Sequence, residues 1–236
     1  MTLVNINIII FFNSIQKYSQ HFLNKFFIEE INGSYNEKDR LSEDLAKKHL
    51  ELIPNGFLSS MGLNCLKILY KTFIVEDSFL VLVCFENKEK QNLIGYAVVR
   101  LEKTSYLKSV IKNYPFGVFI NSFNIIFSLK KIYGILELIS YQFYKNPTIK
   151  PHLKEKRVGE LFNIGMVPKY QGKGIASEIV KRIKEKCASR KINSLYAVTG
   201  SDEIKTHNFY KKVGGTIAGK TTVHNNHESI IYKILI

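Results

Sequence analysis

Residues 160–188 read ELFNIGMVPKYQGKGIASEIVKRIKEKCA, and the change of pattern inside them decides the fold. Residues 158–167 are rich in types that suit a pleated strand, whereas 171–187 repeat apolar side chains at helical spacing. Pro168 separates the two, and Gln171, Gly172, Lys173, Gly174, Ile175 and Ala176 open the helix. The two glycines let bare backbone N–H groups approach a ligand with no Cβ in the way. A helix N-terminus carries unsatisfied donors and a partial positive charge. Strand, glycine turn and helix together therefore suit a phosphate or pyrophosphate.

Two common phosphate signatures do not fit this turn. A Walker loop needs Gly-x-x-x-x-Gly-Lys-Ser/Thr, and a dinucleotide fold needs Gly-x-Gly-x-x-Gly close after an early strand. In their place stands Gln-x-x-Gly-x-Ala, preceded by Val167-Pro168 and followed by a long amphipathic helix. This resembles the acetyl-CoA pyrophosphate loop of the GNAT superfamily of N-acetyltransferases. The resemblance implies an α/β (α+β) fold with a mixed, mostly antiparallel central sheet, helices on both faces, and parallel strands four and five that splay apart. It implies acetyl-CoA as co-substrate, its pyrophosphate over Gln171–Ala176 and its pantetheine arm in the gap between those strands. The arm would bond to strand-four backbone at Ile164, Met166 and Val167, and Asn208 would contact the cofactor from the helix that follows strand five.

Working outward toward the N-terminus, residues 26–31 (FFIEEI) read as a first strand closed by Asn32-Gly33-Ser34. Ser42 is placed to cap a helix whose apolar side is Leu45, His49, Leu52 and Ile53, with Glu43 and Asp44 in its first turn. His49 reads as a packed histidine rather than a base. Pro54-Asn55-Gly56 ends that helix, and Leu58, Met61, Cys65, Leu69 and Phe73 predict a second. Residues 79–85 (FLVLVCF) and 93–101 (LIGYAVVRL) pair as a hairpin. Strand, two helices and hairpin is the order in which the family begins. The stretch 54–62 (PNGFLSSMG) also resembles a subgroup of surface-polysaccharide and amino-sugar enzymes.

We expect one domain over 1–236: an N-terminal half at 26–101, a helical insertion between strands three and four at 102–157, and an acetyl-CoA-binding half at 158–236. In the insertion, Leu129, Ile132, Leu136, Ile139 and Phe143 recur at helical steps, and 116–127 is nearly as apolar. It reads first as a helical flap, then as an acceptor or homodimer surface, and last as a membrane-surface helix. Lys130 and Lys131 interrupt any spanning length. The apolar run 4–12 lacks a basic segment before it and a small-residue cleavage site after it, so it is no signal peptide. It is also far short of the roughly 20 residues a spanning helix needs.

The net charge of +14 comes from 34 basic and 20 acidic residues, with the lysines scattered along every segment. A nucleic-acid binder would cluster them, so no nucleic acid is expected, and the field would instead draw in anionic coenzyme A. Cys65, Cys84 and Cys187 are odd in number and sit in apolar patterns, which predicts buried free thiols and a cytoplasmic location.

Toward the C-terminus, 192–198 read as strand five. Ser201 then caps a helix with Asp202 and Glu203 in its first turn, and 216–222 with 229–235 close as a hairpin. His224 and His227 in that hairpin turn could ligate a metal, but no third ligand stands near them and Asn225-Asn226 suits a turn, so no metal is expected.

Acyl transfer to an amine needs a base for the amine and an acid for the departing thiolate. Residues 208–214 (NFYKKVG) resemble the family's Tyr-x-x-x-Gly motif, which implies Tyr210 as that acid. The other reading of Tyr210 is a packed ring. The motif departs from the family at Glu203, where Asn is usual, and at Gly215, where Phe is common. Glu160 stands eleven residues ahead of Gln171, the offset of the general-base glutamate in histone-acetylating members. By strict alternation it shares a strand face with Phe162, Ile164 and Met166, a setting that would raise its pKa. Glu160 can equally be a strand-end carboxylate paired with Lys154, Lys156 or Arg157, with a water chain as base. The acceptor implied is a small-molecule amine, preferably an amino sugar or nucleotide-linked amino sugar, then a protein or peptide N-terminus. A non-catalytic acyl-CoA-binding module is the rival from another class.

Overall fold

The unbroken apolar run 79–85 becomes β2 (Phe79–Phe85), all of it buried, beside an equally buried β3 (Leu93–Arg100). Strands that are apolar on both sides belong in the middle of a sheet covered on both faces, and that is where these two lie. The computed structural model describes residues 25–90, 92–101, 106–113, 157–223 and 227–236. The other strands are β1 (Phe27–Ile31), β4 (Val158–Met166), β5 (Ser194–Gly200), β6 (Gly215–Val223) and β7 (His227–Leu235). They form one seven-stranded sheet in the order β1-β2-β3-β4-β5-β7-β6. Every neighbouring pair is antiparallel except β4 with β5.

Six helices are described: α1 (Lys38–Leu52), α2 (Phe57–Ser60), α3 (Leu63–Val75), α4 (Tyr106–Asn113), α5 (Ile175–Ser189) and α6 (Ile204–Lys212). On one sheet face Leu80, Leu82, Ile94 and Val99 pack with Ile175, Ile179 and Ile183 of α5 and Tyr210 of α6. On the other face Val81, Val83 and Val98 pack with Leu45 of α1 and Leu69, Tyr70 and Phe73 of α3. Within the expected insertion the structure describes α4. The helix expected around 129–143, the apolar run 116–127, the run 4–12 and His224 lie outside the described residues.

Several local expectations shift. Ser42 is not a cap: α1 starts four residues earlier with Glu37 at its N-cap, and the fully buried Ser42 hydroxyl donates to the Asp39 carbonyl. The charged opening of that helix is steadied by ion pairs, Asp39 with Lys71 and Arg40 with Glu37, which local pattern does not show. The single helix expected over 58–73 is broken at Gly62, whose φ of +84° ends one turn before α3 begins. Ser201 does not cap α6 either. Glu203 occupies that position, and the Ser201 carbonyl accepts from His207 Nε2. Cys84 and Cys187 are buried free thiols as expected, while free Cys65 is half-buried. Burial pushes the first two up to about 12, which leaves them unreactive.

The main correction concerns β4. Val98 lies opposite Asn163 and Val99 opposite Leu161, so Phe162 is an extra residue, a β-bulge. Alternation breaks there. Leu161, Ile164 and Met166 join the α5/α6 core, whereas Phe162 joins the α1/α3 core. Glu160 therefore shares its face with Phe162 but not with Ile164 or Met166, which point the opposite way.

Candidate functional site

The pairing of β4 with β5 is short: Val158 with Ser194, Gly159 with Leu195, and Glu160 with Tyr196. Beyond Glu160 the strands separate. β4 stays paired with β3 as far as Met166, and β5 follows β7 to Gly200. A cleft of about 570 Å³ lies beside the free part of β4. Its walls are Ile164, Gly165 and Met166 of β4, the turn at Gln171, Gly172 and Gly174, and the first residues of α5, Ile175, Ala176 and Ser177. Tyr170 closes one end, and α6 contributes Lys205, Thr206, Asn208, Phe209 and Lys212.

The turn is built for backbone approach. A short 3-10 turn, Pro168–Tyr170, carries the chain off β4, and Gln171 Nε2 then donates to the Met166 carbonyl at 2.9 Å, which ties the turn to the strand end. Gly172 has φ +74° and Gly174 φ +85°, left-handed values that glycine adopts freely. A Cβ added at either would meet no atom of the described residues within 4 Å, so the space over both is open among them. Gly174 is the N-cap of α5 and has no side chain to cap it, so no side-chain cap satisfies the donors of the first turn, whose residues Ile175, Ala176 and Ser177 line the cleft. Lys173 and Lys169 hold their ammonium groups 5.5 and 5.3 Å from the Tyr170 ring. The Tyr170 hydroxyl donates to Glu86, which anchors the turn to the end of β2.

Most of the sequence-predicted cofactor residues gather here: Ile164, Met166, Gln171, Gly172, Gly174, Ile175, Ala176 and Asn208 all line the cleft. Val167 and Lys173 do not line it. The Val167 N–H is committed to the Ile94 carbonyl at 2.9 Å. The sequence reading missed Lys205, Phe209 and Lys212, although with Asn208 they fall at helical spacing on one side of α6 and that period was available. Two lysines on this wall give the cleft a positive side suited to an anion.

Tyr210 follows the two cleft residues Asn208 and Phe209 but does not itself line the cleft. Its ring is 4% exposed and stacks on Tyr232 with centroids 5.1 Å apart. Burial, with Tyr232 beside it, raises its pKa well above the ordinary phenol value, so the group is protonated at any working pH. The Tyr232 hydroxyl is in turn 3.0 Å from His207 Nδ1.

Glu160 sits where the strands part; among the described residues its partner is Arg100 rather than Arg157, while Lys154 and Lys156 lie outside the described residues. Arg100, directly opposite on β3, binds its carboxylate at 2.6 Å. Burial raises the Glu160 pKa and Arg100 opposes the rise. Removing one partner of such a buried pair strands the other charge. Arg100→Leu is therefore expected to destabilise the fold by about 3 kcal/mol, read as a lower urea midpoint, with a smaller loss in acid where Glu160 takes a proton.

His49 is a packed histidine, as its sequence setting implied: it is 2% exposed, and burial lowers its pKa to about 4. The unfolded chain binds a proton at this ring from about pH 6.5 downward and the folded chain does so only near 4. Stability from this residue is thus complete above 6.5 and falls as pH drops through that window. The full loss is about 3 kcal/mol. Urea melts of the wild type and His49→Leu should differ in slope against pH between those limits and run parallel above them.

Among the described residues no group of three His, Cys, Asp or Glu could hold a metal, and no helix is long and apolar enough to cross a membrane. A search of curated proteins finds no match. Solved structures do resemble the chain. One is spermidine/spermine N-acetyltransferase SpeG from Vibrio cholerae, at 14% identity and TM-score 0.51 over 91% of this chain and 94% of that one. Another is Arabidopsis thaliana NAA60 in complex with acetyl-CoA, at 12% and 0.53 over 89% and 99%. An acetyltransferase of the GNAT family from Streptococcus pneumoniae matches at 13% and 0.53 over 89% and 99%. At such identities they speak for the fold alone. The sequence model of the acetyltransferase (GNAT) family matches residues 63–215, which span α3 to the start of β6 and include the whole glycine turn and cleft. With that match over most of its length, the chain belongs to the acetyltransferase (GNAT) family, whose members are N-acetyltransferases.

Proposed function

We propose that this protein is a cytoplasmic, acetyl-CoA-dependent N-acetyltransferase whose acceptor amine attacks the thioester directly. The observation that carries the reading is the open cradle over Gly172 and Gly174 at the N-terminus of α5, beside a strand released from its neighbour. A Cβ at either glycine would fill that space, so the residues present fit a pyrophosphate held by backbone donors. Lys205 and Lys212 would add charge from α6, and the β4 segment from Ile164 to Met166 would lie along the pantetheine arm.

When bound, acetyl-CoA supplies an acyl group already activated as a thioester. The new bond is C–N and the broken bond C–S. We assign the proton for the departing sulfur to the Tyr210 hydroxyl, which follows the cleft residues Asn208 and Phe209 in α6 without lining the cleft itself, and the proton lost from the amine passes to Glu160 or through water to solvent. Tyr210 is in its protonated form at working pH, as an ordinary phenol already is. Glu160, paired with Arg100, is the less direct candidate, which favours water as the first proton acceptor.

For the acceptor we propose an amino sugar or nucleotide-linked amino sugar, with a peptide N-terminus next. Support comes from the resemblance of residues 54–62, which lie between α1 and α3. A thiol-release assay with acetyl-CoA and a panel of glucosamine, a UDP-linked amino sugar, spermidine and an alanyl peptide tests the reading. Release dependent on at least one amine is expected. Coenzyme A binding without turnover for any of them would favour a non-catalytic binding module instead.

A further inference from the structure

Four polar side chains from four elements meet behind the wall of the cleft: His49 of α1, Tyr70 of α3, Tyr96 of β3 and Asn163 of β4. Tyr70 and Tyr96 are fully buried. Asn163 Nδ2 donates to the Tyr70 hydroxyl oxygen at 3.0 Å, and that hydroxyl lies 2.7 Å from His49 Nδ1. The Tyr96 hydroxyl is 3.4 Å from the same nitrogen. Each link has a direction. Because Asn163 donates to the Tyr70 oxygen, Tyr70 can turn its own hydrogen to His49 Nδ1, an acceptor in the neutral imidazole whose hydrogen is on Nε2. The cluster is one residue from the cleft, since a Cβ on the cleft residue Gly165 would stand 2.9 Å from Tyr96 Cε1 and 3.0 Å from Leu52 Cδ1.

Asn163 is also the second residue of the β4 bulge. Phe162 packs its ring on Phe73 at 5.2 Å, and Asn163 reaches Tyr70 on the same face. Two successive side chains on one face are what turn Ile164 and Met166 to the other. A slip of one residue would reverse them. Among the described residues, His49 Nε2 and Asn163 Oδ1 are buried without a hydrogen-bond partner. Most buried polar groups avoid that state, and apolar side chains of similar shape would fill the spot without the penalty. Stability alone therefore does not account for the cluster.

We propose that Asn163, Tyr70 and His49 are positioning residues that lock the bulge in β4 and so hold Ile164 and Met166 toward the cleft. The inference rests on reading that cleft as the coenzyme A site. It is tested with full-length Tyr70→Phe, Asn163→Leu and the double variant, by native-state amide hydrogen exchange and by calorimetric titration with coenzyme A.

Each variant is expected to exchange the amides of Gly165 and Val167, which face β3, at least ten-fold faster, with Leu161 and β2 unchanged, and to bind coenzyme A at least ten-fold more weakly. The double variant leaves no stranded Asn163 donor, so its melting temperature should recover toward wild type while the binding defect stays. Exchange that is unchanged, or raised evenly across the sheet, would overturn the proposal. So would coenzyme A affinity that recovers along with the melting temperature. A wild-type protein that binds no coenzyme A would overturn the cleft reading itself, and exchange, measured without ligand, would still decide for or against the lock.

Discussion

Replacing Tyr210 by phenylalanine is expected to lower amine-dependent turnover by about 10²–10⁴-fold while the Michaelis constant for acetyl-CoA stays within a few-fold. Phenylalanine keeps the stacking on Tyr232 and the packing against the α5/α6 core, so the fold and the cleft wall should survive. What is removed is one O–H. Burial keeps that hydroxyl in the protonated form before the sulfur departs. The defect should shrink for a thioester whose thiolate leaves easily, because such a leaving group needs no acid. Steady-state kinetics with acetyl-CoA and with an aryl thioester would separate the two cases. Near-wild-type turnover of the variant, with chemistry rate-limiting, would reduce Tyr210 to a packed ring.

A second large effect is expected at the glycine cradle. Gly174→Val places a branched side chain in a left-handed backbone conformation at φ +85°, a strain of about 1–3 kcal/mol. Among the described residues no atom lies within 4 Å of the added Cβ, so the cost is conformational and the space it fills is the one proposed for the ligand. Wild-type protein at a coenzyme A concentration 100-fold above Kd should gain about 2.7 kcal/mol, visible as a higher melting temperature, and the variant should gain nothing. Gly172→Ala is a milder companion should the valine prevent folding, since φ there is +74° and the surrounding space is equally open. Removing the charge of Lys173 should only weaken binding, because that side chain does not line the cleft. Unaltered stabilisation of folded Gly174→Val by coenzyme A would contradict the assignment of the turn.

The features legible in the sequence are those written in local pattern. The strand, the glycine turn and the start of α5 follow from a change of period and from two residues without Cβ atoms, and the buried hairpin follows from two unbroken apolar runs. What alternation could not show is the bulge at Phe162, because an extra residue in β4 is defined only by the strand it pairs with. Glu160 is placed at the right point of the strand and beside Phe162, but the expected face neighbours Ile164 and Met166 lie on the other side. Its partner Arg100 belongs to β3, and pairing across a sheet has no signature at short range. The hydrogen bond from Asn163 to Tyr70, and from there to His49, joins three distant parts of the chain for the same reason. Ser42 and Ser201 show the opposite limit: both are good capping residues by type, but α1 begins ahead of Ser42, with Asp39 paired to Lys71, and the Ser201 N–H is bound to the Glu228 carbonyl of β7.

The central claim is that the cleft at the parting of β4 and β5 takes acetyl-CoA, with its phosphates on the glycine turn. Titrating acetyl-CoA into ¹⁵N-labelled protein and following the backbone amides tests it most directly. The account predicts the largest shifts at Gly172, Gly174, Ile175 and Ala176, with a second group at Ile164, Gly165 and Met166 and little change in β1 or α3. Shifts confined to other surfaces, or none at acetyl-CoA concentrations well above the micromolar range, would contradict it.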